Sequence, residues 1–149
     1  MGGRGSSSNM SNQFSNTRSW TGGTPLQRDT FHQNANRLGL EVHREQVPVS
    51  DGYTTREYVI LNSPLTVYHN ADKSNMENIN KRGLLPSDRN GGQVSGVYLT
   101  GGKDDLAGWA DNNVTLAVTL PAGTKLYRDV QPNALFVREK IPKNRIKVV

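Results

Sequence analysis

The sequence predicts an α+β fold built on a mainly antiparallel β-sheet with two or three short helices. Short apolar or alternating runs recur along the chain and are separated by turns that contain Gly and Pro, which is typical of sheets of short strands. One segment carries helix-capping residues, and no internal repeat is present. Many short strands with few helices favour the α+β class.

The composition limits the class of protein further. The chain has 149 residues, 34% of them hydrophobic, which corresponds to one domain with a small core. No run of about 18 apolar residues occurs, so we expect no membrane span, and we expect no secretory leader. Without cysteine, disulfide scaffolds and thiolate zinc sites are excluded. The three histidines, His32, His43 and His69, lack the spacing of metal ligands, so no metal site is expected.

The N-terminal residues differ in composition from the rest of the chain. Residues 1–24 are rich in Gly, Ser and Asn and carry two isolated aromatic residues, Phe14 and Trp20, so they predict a disordered arm. Residues 25–149 then predict a single folded domain. Its first element is a helix, because Pro25 suits a first helical turn and Gly39 suits a helix end.

Three strands are expected after this helix. Residues 40–47 and 53–62 are strand-like and are separated by the turn-forming residues of the segment 48–52. Residues 65–69 have the composition of a further short strand.

The next segment predicts a helix over residues 74–83. Ser74 and Glu77 have the spacing of a capping box, and Gly83 is placed as a stop signal. Met76 and Ile79 lie on one face at helical spacing, so we expect them to point to the core.

The second half of the chain predicts five strands and one short helix. The helix is expected over residues 103–110 and carries Trp109. The apolar alternation is clearest before the turn at residues 121–123. The predicted strands are residues 97–100, 114–120, 124–128, 134–138 and 145–149.

Positive charge is concentrated at the C-terminus of this sequence. The net charge is +5, and the final twelve residues contain five basic side chains against one acid, Glu139. The basic residues are Arg138, Lys140, Lys143, Arg145 and Lys147. Such a stripe can contact phosphate, in nucleic acid or in a phosphate-rich cofactor. A solvated strand edge that lysines protect from aggregation is the favoured explanation of the same pattern.

The order of motifs in residues 65–149 resembles the ADP-ribosyltransferase fold of the His-Tyr type. The ending is also similar to DNA-modifying ADP-ribosyltransferase toxins and to RNA 2′-phosphotransferases. This resemblance implies a split sheet that binds NAD at the split. The segments that carry it are 67–69 (Val-Tyr-His), 80–84 (Asn-Lys-Arg-Gly-Leu), 96–100 (Gly-Val-Tyr-Leu-Thr), 120–127 (Leu-Pro-Ala-Gly-Thr-Lys-Leu-Tyr) and 136–146 (Phe-Val-Arg-Glu-Lys-Ile-Pro-Lys-Asn-Arg-Ile).

The resemblance implies roles for individual residues. His69 matches the histidine that hydrogen-bonds a ribose hydroxyl of NAD, a task that suits an imidazole because it can donate and accept. Tyr98 matches the aromatic residue that stacks on the nicotinamide ring. Asn70, Gly96 and Thr100 flank these positions and are expected to add NAD contacts. By residue type alone, a strand-end histidine bonded to backbone is the favoured interpretation of His69, and a core position explains Tyr98. The surrounding resemblance reverses the preference for His69.

The family's catalytic glutamate has no acidic counterpart here. It aligns with Ala134, or with Asn133 if the register slips by one residue, so Asn133 is the catalytic candidate at this position. Asp129 and Gln131 are loop residues that could enter the cleft instead. Glu139 is not assigned this role, because it is on the opposite strand face from Ala134 and about 20 Å along the strand from Asn133.

Three functions are consistent with this resemblance. The first is an NAD-dependent ADP-ribosyltransferase or NAD glycohydrolase, with a protein or nucleic-acid acceptor in the cytoplasm of a host cell. The glycine-rich N-terminus is also similar to small proteins of phages and mobile elements, so a phage or toxin effector is the expected setting. The missing glutamate suggests a catalytically silent binding or inhibitor protein. An RNA 2′-phosphotransferase-like enzyme is the third, although its paired histidines are replaced by Val97 and Tyr98.

Overall fold

A computed structural model of the chain describes residues 17–20, 30–87, 94–102, 113–130 and 134–149. The described residues form nine β-strands and two α-helices, so the predicted α+β class is confirmed. The strands are β1 (Arg18–Ser19), β2 (His43–Val49), β3 (Gly52–Ile60), β4 (Leu65–Asp72), β5 (Val97–Thr100), β6 (Asn113–Leu120), β7 (Lys125–Arg128), β8 (Ala134–Val137) and β9 (Ile146–Val148). The helices are α1 (Thr30–Leu38) and α2 (Met76–Arg82).

The strands form one sheet in which one pair of neighbouring strands, β4 and β5, is joined far less extensively than the pairs on either side of it. Its order is β2-β3-β7-β8-β5-β4-β6-β9, and all pairings along it are antiparallel. The strand β1 pairs in parallel with the start of β4. The strands β4 and β5 share the single pair Tyr68–Thr100, whereas β4 pairs with β6, and β5 with β8, along their whole lengths. The sheet therefore has two halves that meet at one residue pair.

The sheet also curls. A turn at residues 121–124 connects β6 to β7, and the Thr124 N–H donates to the Pro121 carbonyl at 3.3 Å. In a flat sheet these two strands would be four spacings apart, about 19 Å. A compact turn can join them only if the two halves fold toward each other. The main hydrophobic core accordingly contains side chains from both halves, including Val59, Leu126, Leu135, Leu65, Val67 and Val118.

A short N-terminal segment takes part in this core. Trp20 is 1% exposed, and its ring centroid lies 5.3 Å from that of Phe31 on α1. Arg18 and Ser19 pair with β4, and the Thr17 hydroxyl is hydrogen-bonded to that of Thr66. The predicted disordered arm over residues 1–24 is therefore wrong for residues 17–20, because a buried tryptophan anchors them; its other residues lie outside the described ranges.

Both helices end where the sequence predicts. The helix α1 stops before Gly39, and α2 stops before Gly83, whose φ of 77° favours glycine. Ile79 is buried and Met76 packs against the core, as expected. The predicted first turn of α1 at residues 24–29 lies outside the described residues.

The predicted capping box on α2 is wrong. Ser74 belongs to a 3₁₀ turn (Lys73–Asn75) before the helix, and its hydroxyl and N–H both donate to the Asp72 carboxylate, at 3.0 Å. An aspartate two residues upstream thus caps the entry, because the chain tightens before the α-helix begins. The helices have nine and seven residues, and no helix in the described ranges is long and apolar enough to cross a membrane.

The first hairpin is shifted relative to the prediction. Pro48 and Val49 belong to β2, and Val49 pairs with Gly52, so the turn consists of Ser50 and Asp51 alone. Pro48 is tolerated because β2 is an edge strand: no further strand lies outside it to require a backbone N–H from this position. The strand predicted over residues 65–69 continues to residue 72. The other predicted strands, 97–100, 114–120, 124–128, 134–138 and 145–149, are confirmed to within one residue at each end. The helix predicted over 103–110 lies outside the described residues.

We expect Trp20→Ala to lower the free energy of unfolding by about 3–5 kcal/mol, because it removes a fully buried aromatic side chain. Denaturant unfolding measures this, and Tyr53→Ala serves as the control because Tyr53 is 72% exposed. Equal stability of the Trp20→Ala variant and the unaltered chain would mean that residues 17–20 do not belong to the folded domain.

Candidate functional site

A cleft of about 350 Å³ opens where β4 and β5 part. Five of the six predicted site residues line it, two from β4 and three from the β5 segment; they are His69, Asn70, Gly96, Tyr98 and Thr100. The sixth, Asn133, lies outside the described residues, as does Gln131. Two motifs that are far apart in the sequence thus contribute to one cleft.

The imidazole of His69 bridges the gap between the two strands. Its Nδ1 donates to the Tyr98 carbonyl at 2.7 Å. This contact is made with the backbone of Tyr98 and does not involve the Tyr98 ring. Because a carbonyl oxygen can only accept, Nδ1 carries a proton and the orientation of the ring is fixed.

The ring of Tyr98 is held from two sides. Its hydroxyl donates to the Val94 carbonyl, and its centroid lies 5.3 Å from that of Phe136 at an interplanar angle of 35°. Phe136 is fully buried, whereas Tyr98 is half-buried and lines the cleft. The cleft therefore has a fixed aromatic wall.

Asn70, Gly96 and Thr100 differ in the groups they present. The Asn70 Nδ2 is buried and has no hydrogen-bond partner among the described residues. The Thr100 hydroxyl donates to the Gly102 carbonyl at 3.3 Å and keeps its lone pairs. The Gly96 N–H donates to the Ser87 carbonyl at 3.0 Å, so the amide is already satisfied.

Gly96 has a packing role that the sequence does not indicate. A Cβ at this position would lie 2.8 Å from the Val137 carbonyl oxygen and 3.0 Å from the Phe136 ring. Only glycine permits this close approach of the segment to β8. Glycine at this position thus brings the wall of the cleft close to β8.

The described part of the cleft lining contains no carboxylate. Ala134, the position that aligns with the family's glutamate, lines the cleft. Asp129 lines a separate depression of about 280 Å³ beside Arg128, so the suggestion that it enters the cleft is wrong. Glu139 is exposed and lines another cavity. Charge stabilisation by a side-chain carboxylate is thus missing from the described lining.

A second cavity, of about 760 Å³, was not predicted. Tyr127 and Glu45 line it, and the Tyr127 hydroxyl donates to the Glu45 carboxylate. Burial and this carboxylate raise the pKa of Tyr127 to about 12, and the same hydrogen bond, with Lys125 at 3.1 Å, lowers the pKa of Glu45. The residues are too far apart in the sequence for any local pattern to pair them.

A row of three aromatic rings connects the linings of the two cavities. Phe136 contacts Tyr98 of the cleft on one side and stacks on Tyr127 on the other, with centroids 5.0 Å apart and an interplanar angle of 10°. Among the described residues, no group of three or more His, Asp or Glu side chains is placed to hold a metal ion. The site is therefore defined by an imidazole, amides, hydroxyls and rings.

Comparison with known proteins does not place this arrangement in a family. The chain matches no family model, no curated protein and no solved structure. The function must therefore be argued from the cleft itself.

The Tyr127–Glu45 hydrogen bond gives a pH-dependent contribution to stability. The lowered pKa of Glu45 means that this contribution is present above the ordinary value of 4.5 and is lost as pH falls through the folded value. The raised pKa of Tyr127 means that it persists up to about pH 10 and is lost as pH rises toward 12. We expect Tyr127→Phe to lower the free energy of unfolding between about pH 5 and pH 9, and to lower it less at pH 3.

Urea unfolding as a function of pH measures this difference. Tyr53→Phe is the matched control, because it removes the same hydroxyl from an exposed ring. A Tyr127→Phe effect that is equal at pH 3 and pH 7 would contradict a hydrogen bond to an ionised Glu45.

Proposed function

We propose that the chain is an NAD-dependent ADP-ribosyltransferase or NAD glycohydrolase, and that the β4–β5 cleft binds the nicotinamide end of NAD. One observation carries the proposal. Residues of two separate sequence motifs, His69 and Asn70 on one strand and Tyr98 and Thr100 on the other, line the same cleft. The resemblance to ADP-ribosyltransferases implies NAD contacts for the same four residues.

The narrow join of the sheet supports the finer fold that this function requires. An ADP-ribosyltransferase-like sheet is split, with NAD at the split. Here β4 and β5 share only the Tyr68–Thr100 pair, and the cleft lies beside that pair. We therefore propose an ADP-ribosyltransferase-like split sheet.

The groups lining the cleft fit the nicotinamide–ribose part of NAD. The Asn70 Nδ2 is a buried donor with no partner among the described residues, and a carboxamide oxygen or a ribose hydroxyl would satisfy it. A cleft of about 350 Å³ is within the size range of small-ligand sites. When bound, NAD supplies the nicotinamide–ribose bond whose cleavage transfers ADP-ribose to an acceptor or to water.

The side chains of the cleft bind and orient in this proposal. Because His69 is held through Nδ1, its ring has a fixed orientation at the cleft, where an imidazole can hydrogen-bond a ribose hydroxyl. The Tyr98 ring is fixed by Val94 and Phe136, so an aromatic ligand can stack on it without first ordering it. Such preorganisation lowers the entropy cost of placing the reacting bond.

A second candidate function has its own observation. Ala134 lines the cleft where the family carries its catalytic glutamate. A methyl group cannot stabilise the positive charge that develops on ribose as nicotinamide leaves. The alternative is therefore a catalytically silent protein that binds NAD or ADP-ribose in this cleft, with a macromolecular partner elsewhere.

Release of nicotinamide from NAD, with and without cell lysate, tests the proposal. We expect release, and we expect His69→Ala and Tyr98→Leu to lower kcat/KM by about tenfold or more, because each removes a group that orients NAD. Release only with lysate indicates a macromolecular acceptor, and release without it indicates hydrolysis.

Two controls separate binding from folding. His43→Ala alters a histidine that stacks on Tyr58 outside the cleft, and Tyr98→Phe keeps the ring while removing the hydroxyl. Unchanged turnover in His69→Ala would mean that the β4–β5 cleft is not the site of the reaction. If the unaltered chain shows no turnover but binds NAD by calorimetry in a His69-dependent way, the silent binding protein is the correct alternative.

A gain-of-function variant tests the position of the missing carboxylate. We expect Ala134→Glu to raise nicotinamide release by about tenfold or more, because it introduces an anion beside the cleft where positive charge develops. Ala134→Gln is the matched control, since it has nearly the same shape without the charge. Equal release from both variants would show that the scissile bond does not lie near residue 134.

A further inference from the structure

The larger cavity lies away from the residues assigned to NAD. It is about 760 Å³ and is bounded by the turn between β6 and β7 and by the segment that follows β8. Its lining shares no residue with that of the β4–β5 cleft. The proposed function leaves it without a role.

The charged residues of this cavity are mostly basic. Four cations and two carboxylates line it; they are Lys125, Arg138, Lys140, Arg145, Glu45 and Glu139. Glu45 is already hydrogen-bonded to Tyr127 and paired with Lys125 at 3.1 Å. The remaining cations belong to the basic C-terminal run and outnumber the remaining acid. The lining thus holds two more cations than carboxylates, and Arg138 is near enough to the Tyr127–Glu45 pair to interact with both side chains.

Two buried polar atoms of the lining lack partners. The Thr119 hydroxyl and the Arg138 Nε have no hydrogen-bond partner among the described residues. Thr119 is only 2% exposed. Buried polar groups in folded proteins are nearly always satisfied, so two such atoms at one cavity indicate a bound group that supplies acceptors. Anionic oxygens suit a guanidinium and a hydroxyl better than any neutral acceptor.

We propose that this cavity binds a nucleoside phosphate. The phosphate would lie against Arg138, which presents a guanidinium fork matched to phosphate oxygens. Leu120, Val137 and Ile141 give the cavity apolar lining that a base or sugar can contact. The volume falls in the range of nucleotide-sized ligand sites. The phosphate can belong to a free nucleotide or to a nucleic-acid strand, and the chemistry of recognition is the same.

Calorimetric titration of the full chain with inorganic pyrophosphate tests the anion site. We expect binding, a loss of affinity of about tenfold or more in Arg138→Gln, and a smaller loss in Thr119→Val. Thr119→Val keeps the side-chain volume and removes an unsatisfied hydroxyl, so it should not lower the melting temperature. It therefore remains informative if Arg138→Gln fails to fold.

Two controls locate the binding. Lys143→Gln removes the same charge from an exposed residue of the basic run outside the cavity lining, and His69→Ala alters the β4–β5 cleft. We expect pyrophosphate affinity to change less than twofold in both. This result does not depend on whether the chain cleaves NAD, so the two proposals can fail separately.

Competition identifies the source of the phosphate. Displacement of pyrophosphate by AMP supports a free nucleotide, and displacement by a single-stranded decanucleotide but not by AMP, with a steep salt dependence, supports a nucleic-acid strand. Four outcomes would overturn the proposal: no pyrophosphate binding, an equal loss in Lys143→Gln, unchanged affinity in Thr119→Val, or no displacement by either competitor.

Discussion

The Tyr68–Thr100 pair joins two half-sheets that otherwise pair outward, β4 with β6 and β5 with β8. Backbone groups beyond this pair lose the neighbouring strand as a partner, and buried polar groups must find another. The Tyr98 carbonyl accepts from the His69 ring instead. The separation of β4 from β5 and the orientation of the His69 imidazole therefore depend on each other. If the β4–β5 pairing continued, a backbone N–H of β4 would bond the Tyr98 carbonyl and the cleft would be closed.

The buried ring of Phe136 gives both cavities a common support. It contacts Tyr98 on one side, stacks on Tyr127 on the other, and has no exposed surface. Gly96 allows the neighbouring segment to approach this ring closely. Packed interiors transmit volume changes, so a substitution at Phe136 disturbs both cavities together. His69 and Arg138 each line only one cavity, so a substitution at either residue changes that cavity alone.

Local patterns in the sequence predict most of the strands and helices. His69 and Tyr98 are singled out by the resemblance to ADP-ribosyltransferases rather than by local pattern, and both line the β4–β5 cleft. Features that depend on distant residues could not be predicted. Trp20 lies in a segment of disordered composition, and only its packing against Phe31 shows that it belongs to the core. Glu45 and Tyr127 are separated by 82 residues, and strand order alone brings them together.

The basic C-terminal run shows why net charge was not enough to choose between phosphate contact and a solvated edge. Arg138, Lys140 and Arg145 line the larger cavity, whereas Lys143 and Lys147 are exposed and do not line it. The proposed phosphate contact therefore concerns only the part of the run that lines the cavity. A charge acts on a ligand only where the fold holds it beside a cavity, since exposed charges farther than a Debye length of about 8 Å are screened at physiological salt. The turn that follows β8, which composition does not reveal, decides which of the cations can act in this way.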